Sequence, residues 1–458
     1  MNISFLEPKP VLSTERQLFS NQRLKAMIVP LLIEQLLQLV VGLADTMMVS
    51  HAGEATVSGV SLDTMIYTIF IFLFTALATG GAVIVSQYVG RGDSENADLA
   101  ASQDFFVSLA LSIVCSAVIL LLGPAILGLL YSSIEADVMS ACRTYLWIVA
   151  LSFPANAVYN AGAAIYRSMG KTKPIMYVSI TMNLLNVIGN AIGIFVLHAG
   201  AAGVAWPTTI SWYVAAFLMT ALCFRKNISV RVRLADMLRP HKEMLGRILR
   251  IAVPNAGENV LFQLAKVVLG SLIATFGTYQ IAANGIGQTF WSLAACMSAS
   301  MGPVFITVIG QCMGAGDTEA ATWYIHKLVR LTILLSALWN ALVLLIMPLL
   351  LPLYSISAET RHYIWVIVII HNIFAATVQP FAIPLSSGLR AAGDVKFSFW
   401  SSIVCTVVFR TAMSFVLGLW LKLGIVGITW AMVLDWTLKM ILDIIRFRSG
   451  KWKEKKVI

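Results

Sequence analysis

Glu34, Gln38 and Asp45 stand four and seven residues apart in an otherwise apolar stretch, and at 3.6 residues per turn all three fall on one helix face. A carboxylate in such surroundings costs about 2.5–3.5 kcal/mol even on the lenient insertion scale, so it needs a chemical reason. The two acids are eleven residues apart, about 16 Å along a helix axis. They cannot share one proton, but they can mark successive depths of a cation or proton route. Asp45 is assigned to that route. Glu34 is read either as part of it or as a buried structural group, and its counterpart Glu258, also four residues after a proline, carries the same two readings.

Other polar faces follow the same logic. Asn255, Asn259, Gln263 and Lys266 repeat at four, four and three, and Lys266 is expected to seek a carboxylate, Glu34 or Asp45. Glu258, Asn259, Gln263 and Lys266, with His371 and Asn372, are the expected lining of a substrate cavity. Asn183, Asn186 and Asn190 form a run of amides that either coordinates a cation or bonds between helices. Gly189 and Gly193 permit close helix contact beside them. Asp435, Lys439 and Asp443, at successive spacings of four, favour intrahelical pairing. Arg410 has no partner visible in the sequence.

The elements that must hold these residues are set by a duplication. Pro30 and Pro254, Glu34 and Glu258, Gln87 and Gln311, Asp93 and Asp317, Gly203 and Gly427 all recur at a spacing of 224 residues. A long period fixes the architecture before any motif does. With 59% hydrophobic and 12% charged residues, the chain has too little charge for a soluble domain and belongs in a bilayer. A span needs about 20 apolar residues. Candidates centre near Gln38, Phe74, Val114, Ala155, Asn186, Tyr213, Gln263, Met297, Trp339, Phe374, Val408 and Leu434. The predicted fold is all-α and integral to the membrane, twelve transmembrane helices in two parallel six-helix repeats forming two lobes.

Charge supports this layout, because Lys and Arg gather in short cytoplasmic loops. With both termini inside, all but six of the 32 Lys and Arg fall on the cytoplasmic side. Arg143, Arg361 and Lys422 lie opposite, and Lys266, Arg410 and Lys439 lie within helices. The expected organisation is a cytoplasmic segment 1–23, a six-helix lobe 24–224, a basic linker and hinge 225–250, a second lobe 251–448 and a basic tail 449–458. The net charge of +10 thus reflects topology, not nucleic-acid binding.

Enzyme chemistry finds little support. Gly170-Lys-Thr172 lacks the earlier glycine and the strand of a phosphate loop, and no His-x-x-x-His or Gly-x-Ser-x-Gly pattern occurs. The six cysteines form no Cys-x-x-Cys pair and are expected to be free thiols. No cleavable signal is evident, and no cofactor is expected.

Pro30-x-x-x-Glu34, the segment Gly42-Leu-Ala-Asp-Thr-Met-Met48 and Gly90-x-Gly-Asp93, set in a six-plus-six duplication, resemble the multidrug and toxic compound extrusion (MATE) transporters across essentially the whole chain. The resemblance implies a V-shaped pair of lobes in a bacterial cytoplasmic membrane, monomeric, exporting bulky, often cationic drugs against sodium ions or protons. It implies a coupling site at Asp45, with a sodium ion as the one metal expected. In the DinF-like branch the positions around that carboxylate match Asn186, Asn190 and Thr208, with asparagine at 190 where that branch has an acid. The glutamate of the NorM-like branch falls on Phe262, so the ion site is closer to the DinF-like pattern. The expected coupling set is Asp45, Asn186, Asn190, Thr208, Glu34 and Gln38. Alternatives are a flippase for lipid-linked saccharides, which calls for a strongly cationic cavity, and a receptor or scaffold without a transport cycle.

Overall fold

The computed structural model describes residues 6–10, 12–131, 134–354 and 356–458, and these contain helices and no strand. The first repeat comprises α1 (Asn21–Ser50), α2 (Glu54–Arg91), α3 (Ser94–Leu130), α4 (Ala136–Ala150), α5 (Phe153–Ser168), α6 (Lys173–Ala191), which runs into a π-helical turn at Ile192–Val196, and α7 (Gly200–Cys223). A one-turn helix α8 (Leu234–Met237) follows. The second repeat comprises α9 (Lys242–Ala274), α10 (Thr278–Gly314), α11 (Thr318–Leu350), α12 (Ala358–Thr377), α13 (Ser386–Ala391), α14 (Val395–Ser402), α15 (Arg410–Ser414) and α16 (Gly424–Arg448). Further π-helical segments lie at Phe381–Leu385, Ile403–Phe409 and Phe415–Trp420.

Among the described residues, nine helical stretches are long and apolar enough to cross a membrane, and eleven if the bent pairs α4–α5 (46°) and α12–α13 (51°) are each one span. The twelfth expected span, centred near Tyr213, is α7, where Pro207, Thr208, Thr209 and Ser211 dilute the apolar run. Leu121, Leu129, Leu345 and Trp420 are 79%, 84%, 74% and 74% exposed. Burying such a side chain is worth about 1.5–3 kcal/mol, which the hydrocarbon of a bilayer supplies.

The chain divides into two compact units, one of residues Val29–Ala256 and one formed by the segment up to Ile28 with Gly257–Ile458. The first is built around Phe74, Ile119, Leu146, Val149 and Phe153, with the Phe70 and Phe74 rings 4.7 and 5.7 Å from that of Phe153. The second centres on Phe290, Met347, Ile364, Val368 and Ile425.

Each division falls inside a helix, α1 or α9, next to Pro30 or Pro254. The segment leading into one repeat therefore packs on the other. In the second unit, Tyr324 Oη donates to the Phe19 carbonyl at 2.9 Å, Trp323 Nε1 to the Pro8 carbonyl at 3.2 Å and Lys327 Nζ to Glu7 at 3.1 Å. In the first unit, the expected hinge is tied down. Gln103 Nε2 donates to the Arg239 carbonyl at 3.0 Å and Gln103 Oε1 accepts from the His241 amide at 2.8 Å, while Asp98 accepts from the Arg231 amide at 2.8 Å and pairs with Arg233 at 2.7 Å.

The repeated Gly-x-Gly-Asp loops serve these turns. Gly92 and Gly316 adopt left-handed φ of 77° and 75°, a conformation that favours glycine. Asp93 and Asp317 then cap α3 and α11, accepting from the amides of Asn96 and Ala320. Arg16 also donates to Asp317 at 2.8 and 2.5 Å and to Glu319 at 2.8 Å. The Arg16 hydrogen bonds hold the Asp317 carboxyl below its ordinary value. A depressed folded-state pKa stabilises above the unfolded value and is lost as pH falls through the folded one. Protection of residues 6–20 from hydrogen exchange is therefore expected to be intact at neutral pH and to fall once pH drops below about 3.9; an acid-insensitive segment would contradict the pairing.

The repeats are one residue out of register over part of their length. Gly170 and Gly393, like Lys173 and Lys396, are 223 apart, whereas Gly203 and Gly427 are 224 apart. The extra residue enters between them, where α14 opens into the π-helical segment Ile403–Phe409 while α6 stays α-helical. A π-bulge is the usual way a helix absorbs an inserted residue.

Candidate functional site

α1, α6 and α7 bring four of the expected coupling residues together. Asn186 and Asn190, four apart on α6, share a face. Asn190 Nδ2 donates to Asp45 Oδ1 at 2.9 Å. The Asn186 amide has two arrangements. In one, its nitrogen donates to Thr208 Oγ1 at 3.0 Å and its oxygen accepts from Asn190 at 3.3 Å. In the other, its nitrogen lies 3.1 Å from both Asp45 oxygens and its oxygen accepts from Thr208 at 3.0 Å. An ionised Asp45 selects the second, because a carboxylate offers acceptors only. Asp45 itself is half-buried, so its charge is neither freely hydrated nor sealed.

Glycines set this geometry. A Cβ on Gly193 would lie 2.0 Å from the Gly203 carbonyl oxygen, and one on Gly189 would lie 2.6 Å from the Pro207 ring. The backbones of α6 and α7 meet there. This contact carries Thr208 to Asn186.

The remaining members of the expected coupling set lie elsewhere. Glu34 is buried and accepts from Arg167 at 3.0 Å and from Tyr159 Oη at 3.4 Å. Gln38 is exposed. Glu258 repeats the Glu34 arrangement, pairing with Arg390 at 2.7 Å. Arg167 and Arg390 follow the 223-residue register of Gly170 and Gly393. Each repeat thus pairs its post-proline glutamate with an arginine.

In the second unit, Glu258 and Asn259 line a cavity of about 200 Å³ with Phe262, Trp291, Arg410, Trp436 and Lys439. Gln263, Lys266, His371 and Asn372 are not among its lining residues. Lys266 places its ammonium 5.0 Å from the Phe262 ring and 5.8 Å from that of Trp291. His371 is buried beside Trp436, and Asn372 donates to the Val368 carbonyl at 2.8 Å. The expected intrahelical pairing on α16 does not form. Asp435 pairs with Arg410, while Lys439 donates to Ser402 Oγ at 2.6 Å and lies 3.8 Å from Glu258. Tertiary partners outbid an i,i+4 contact worth about 0.2–0.5 kcal/mol.

Two further acids, both wholly buried, stand outside the expected site. Asp63 on α2 and Asp104 on α3 are both at 0% exposure. The Asp104 carboxyl has no hydrogen-bond partner among the described residues. It occupies the room left by Gly81, whose Cβ would fall 2.1 Å from it. The signal was present, since an intramembrane carboxylate on any helix carries the same meaning as one on the first.

A sequence model of the family described as MatE matches residues 30–192 and again 254–416, two blocks offset by the same 224 residues. The uncharacterized transporter YisQ of Bacillus subtilis is 28% identical over 440 residues, covering 93% of this chain and 94% of its own. A probable multidrug resistance protein NorM of Thermotoga maritima is 22% identical over 436 residues, covering 94% and 92%. A multidrug resistance MATE transporter in an outward-facing conformation shares the fold at a TM-score of 0.84 and 22% identity, over 93% of this chain and 95% of that one. A MATE structure in a straight conformation gives 0.86 at 22% identity, over 95% and 98%. The chain is a multi-pass membrane transporter, not an enzyme, and it belongs to the MatE family.

Proposed function

We propose that the protein is a secondary active multidrug exporter that antiports bulky, often cationic organic compounds against sodium ions or protons by alternating access. The convergence of the Asn186 and Asn190 amides on Asp45 carries this reading. A ligand shifts a conformational equilibrium only by preferring one state. Asp45 supplies that preference. With the carboxylate charged and empty, both amides present nitrogen to it. A cation at Asp45 favours oxygen, so Asn186 turns its carbonyl inward and its nitrogen to Thr208. Ion binding is thereby read out at the α6–α7 contact. The multidrug resistance names borne by relatives support the substrate class, and the distribution of Lys and Arg supports a cytoplasmic-membrane location with both termini inside.

The test is substrate efflux from proteoliposomes with sodium and pH gradients imposed separately. Efflux is expected to accelerate under one inward gradient and to track its size. Efflux indifferent to both would overturn antiport.

A further inference from the structure

Arg143 stands seven residues into α4, about 10 Å along its axis. Its side chain is exposed, yet among the described residues it makes no ion pair or hydrogen bond, and neither Glu135 nor Asp137 at the start of the same helix pairs with it. It borders a groove of about 400 Å³ between α3, α4 and α7, walled by Ile119, Leu127 and Leu146 and by the rings of Trp147 and Trp206. The two tryptophans are 56% and 48% exposed, so the groove opens to the outside of the helices. A charge beside hydrocarbon is costly until something answers it, and tryptophan gathers where hydrocarbon meets head groups.

The second repeat offers a comparison. Arg143-Thr-Tyr-Leu-Trp147 returns as Arg361-His-Tyr-Ile-Trp365, while Pro124 and Trp206 return as Pro348 and Trp430. The frame is common to both halves. What differs is the space, because Gly123 lines the groove whereas its counterpart, Met347, is a wholly buried side chain. A Cβ on Gly123 would lie 3.7 Å from Leu146, an ordinary contact, so helix packing does not demand the glycine. Its missing side chain leaves room.

We propose that this groove is a binding site for a diacyl phospholipid, with one acyl chain against Trp147 and Trp206 and the phosphodiester on Arg143. The chain suits the apolar walls, and the phosphodiester brings the acceptors that the guanidinium lacks. Thr144, also at the groove, adds a hydroxyl donor. A long arginine side chain reaches head-group level while its stem stays in hydrocarbon. An inorganic anion would answer Arg143 and leave the walls bare, and a glyceride would do the reverse. The site is independent of the transport reading.

The test is native mass spectrometry of the full-length protein in detergent, titrated with dioleoylphosphatidylcholine or with dioleoylglycerol. The probes share their acyl chains and differ in the phosphodiester, and phosphatidylcholine has no net charge to draw it to the basic loops. It is expected to bind with about tenfold higher affinity than the glyceride, the scale of one hydrogen bond to a charged group. Arg143→Gln should lower phosphatidylcholine to the level of the glyceride, and Gly123→Met, which borrows the residue of the second repeat, should weaken both. Equal binding of the two probes by the unaltered protein, or undiminished phosphatidylcholine affinity in both variants, overturns the proposal. Inorganic phosphate and ethidium should each leave the bound lipid in place. Displacement by phosphate would make this a site for free anions, displacement by ethidium a site for cargo, and either result overturns the assignment to lipid.

Discussion

Asp45→Asn is expected to reduce ion-driven efflux to the rate seen without a gradient while leaving the fold and its melting temperature intact. Asparagine keeps the shape of the side chain, and its Oδ1 still accepts from Asn190 Nδ2, which stands 2.9 Å away in the native site. What it removes is the charge. The coupling between ion and cargo, of the order of 1–3 kcal/mol or 5- to 150-fold in affinity, then has no source. The measurement is efflux in proteoliposomes under the gradient that drives the native protein, paired with a thermal melt. Undiminished gradient dependence in a well-folded variant would remove Asp45 from the mechanism.

Gly193→Ala should damage both stability and coupling. Its new Cβ would lie 2.0 Å from a backbone oxygen of Gly203, which cannot swing aside as a side chain can. The helices must part. Overpacking of this kind costs about 1–3 kcal/mol, and parting α6 from α7 also draws Asn186 away from Thr208. A lowered melting temperature together with weakened ion dependence is the expected pair of results. Gly128 on α3, where an added Cβ meets nothing within 4 Å, is the control, and Gly128→Ala should change neither. A Gly193→Ala protein with native stability and native coupling would show that the crossing does not position the site.

Much of this architecture could be read from residues alone. The 224-residue repeat rests on Pro, Gly and Asp positions whose backbone duties tolerate few substitutes, so it survived in the letters. Asp45 and the α6 amides were legible for a related reason, since polar groups in hydrocarbon announce themselves. The partners of charged groups were less legible. Lys439 lies four residues from Asp435 and from Asp443, yet it turns to Ser402 and Glu258, and only three-dimensional packing decides that choice. The π-helical segment Ile403–Phe409 was hidden too, because one inserted residue changes no composition or hydropathy. Asp63 and Asp104 are harder to read, because each stands beside other polar residues, Ser61 and Thr64 or Ser102 and Gln103, and so does not stand out against an apolar run.

The exchanged leading segments bear on how the molecule is made. Arg16 and Asp317 are 301 residues apart, and at roughly 5–20 residues per second the ribosome needs about 15–60 s to traverse that distance. Arg16 and the residues beside it thus wait for their seat until part of the second repeat has been synthesised. The first repeat is likewise incomplete until the linker beyond it has been translated. Neither half is a finished object when its own last helix enters the membrane. Cutting the gene between the repeats would therefore yield two fragments, each still carrying the other's missing piece.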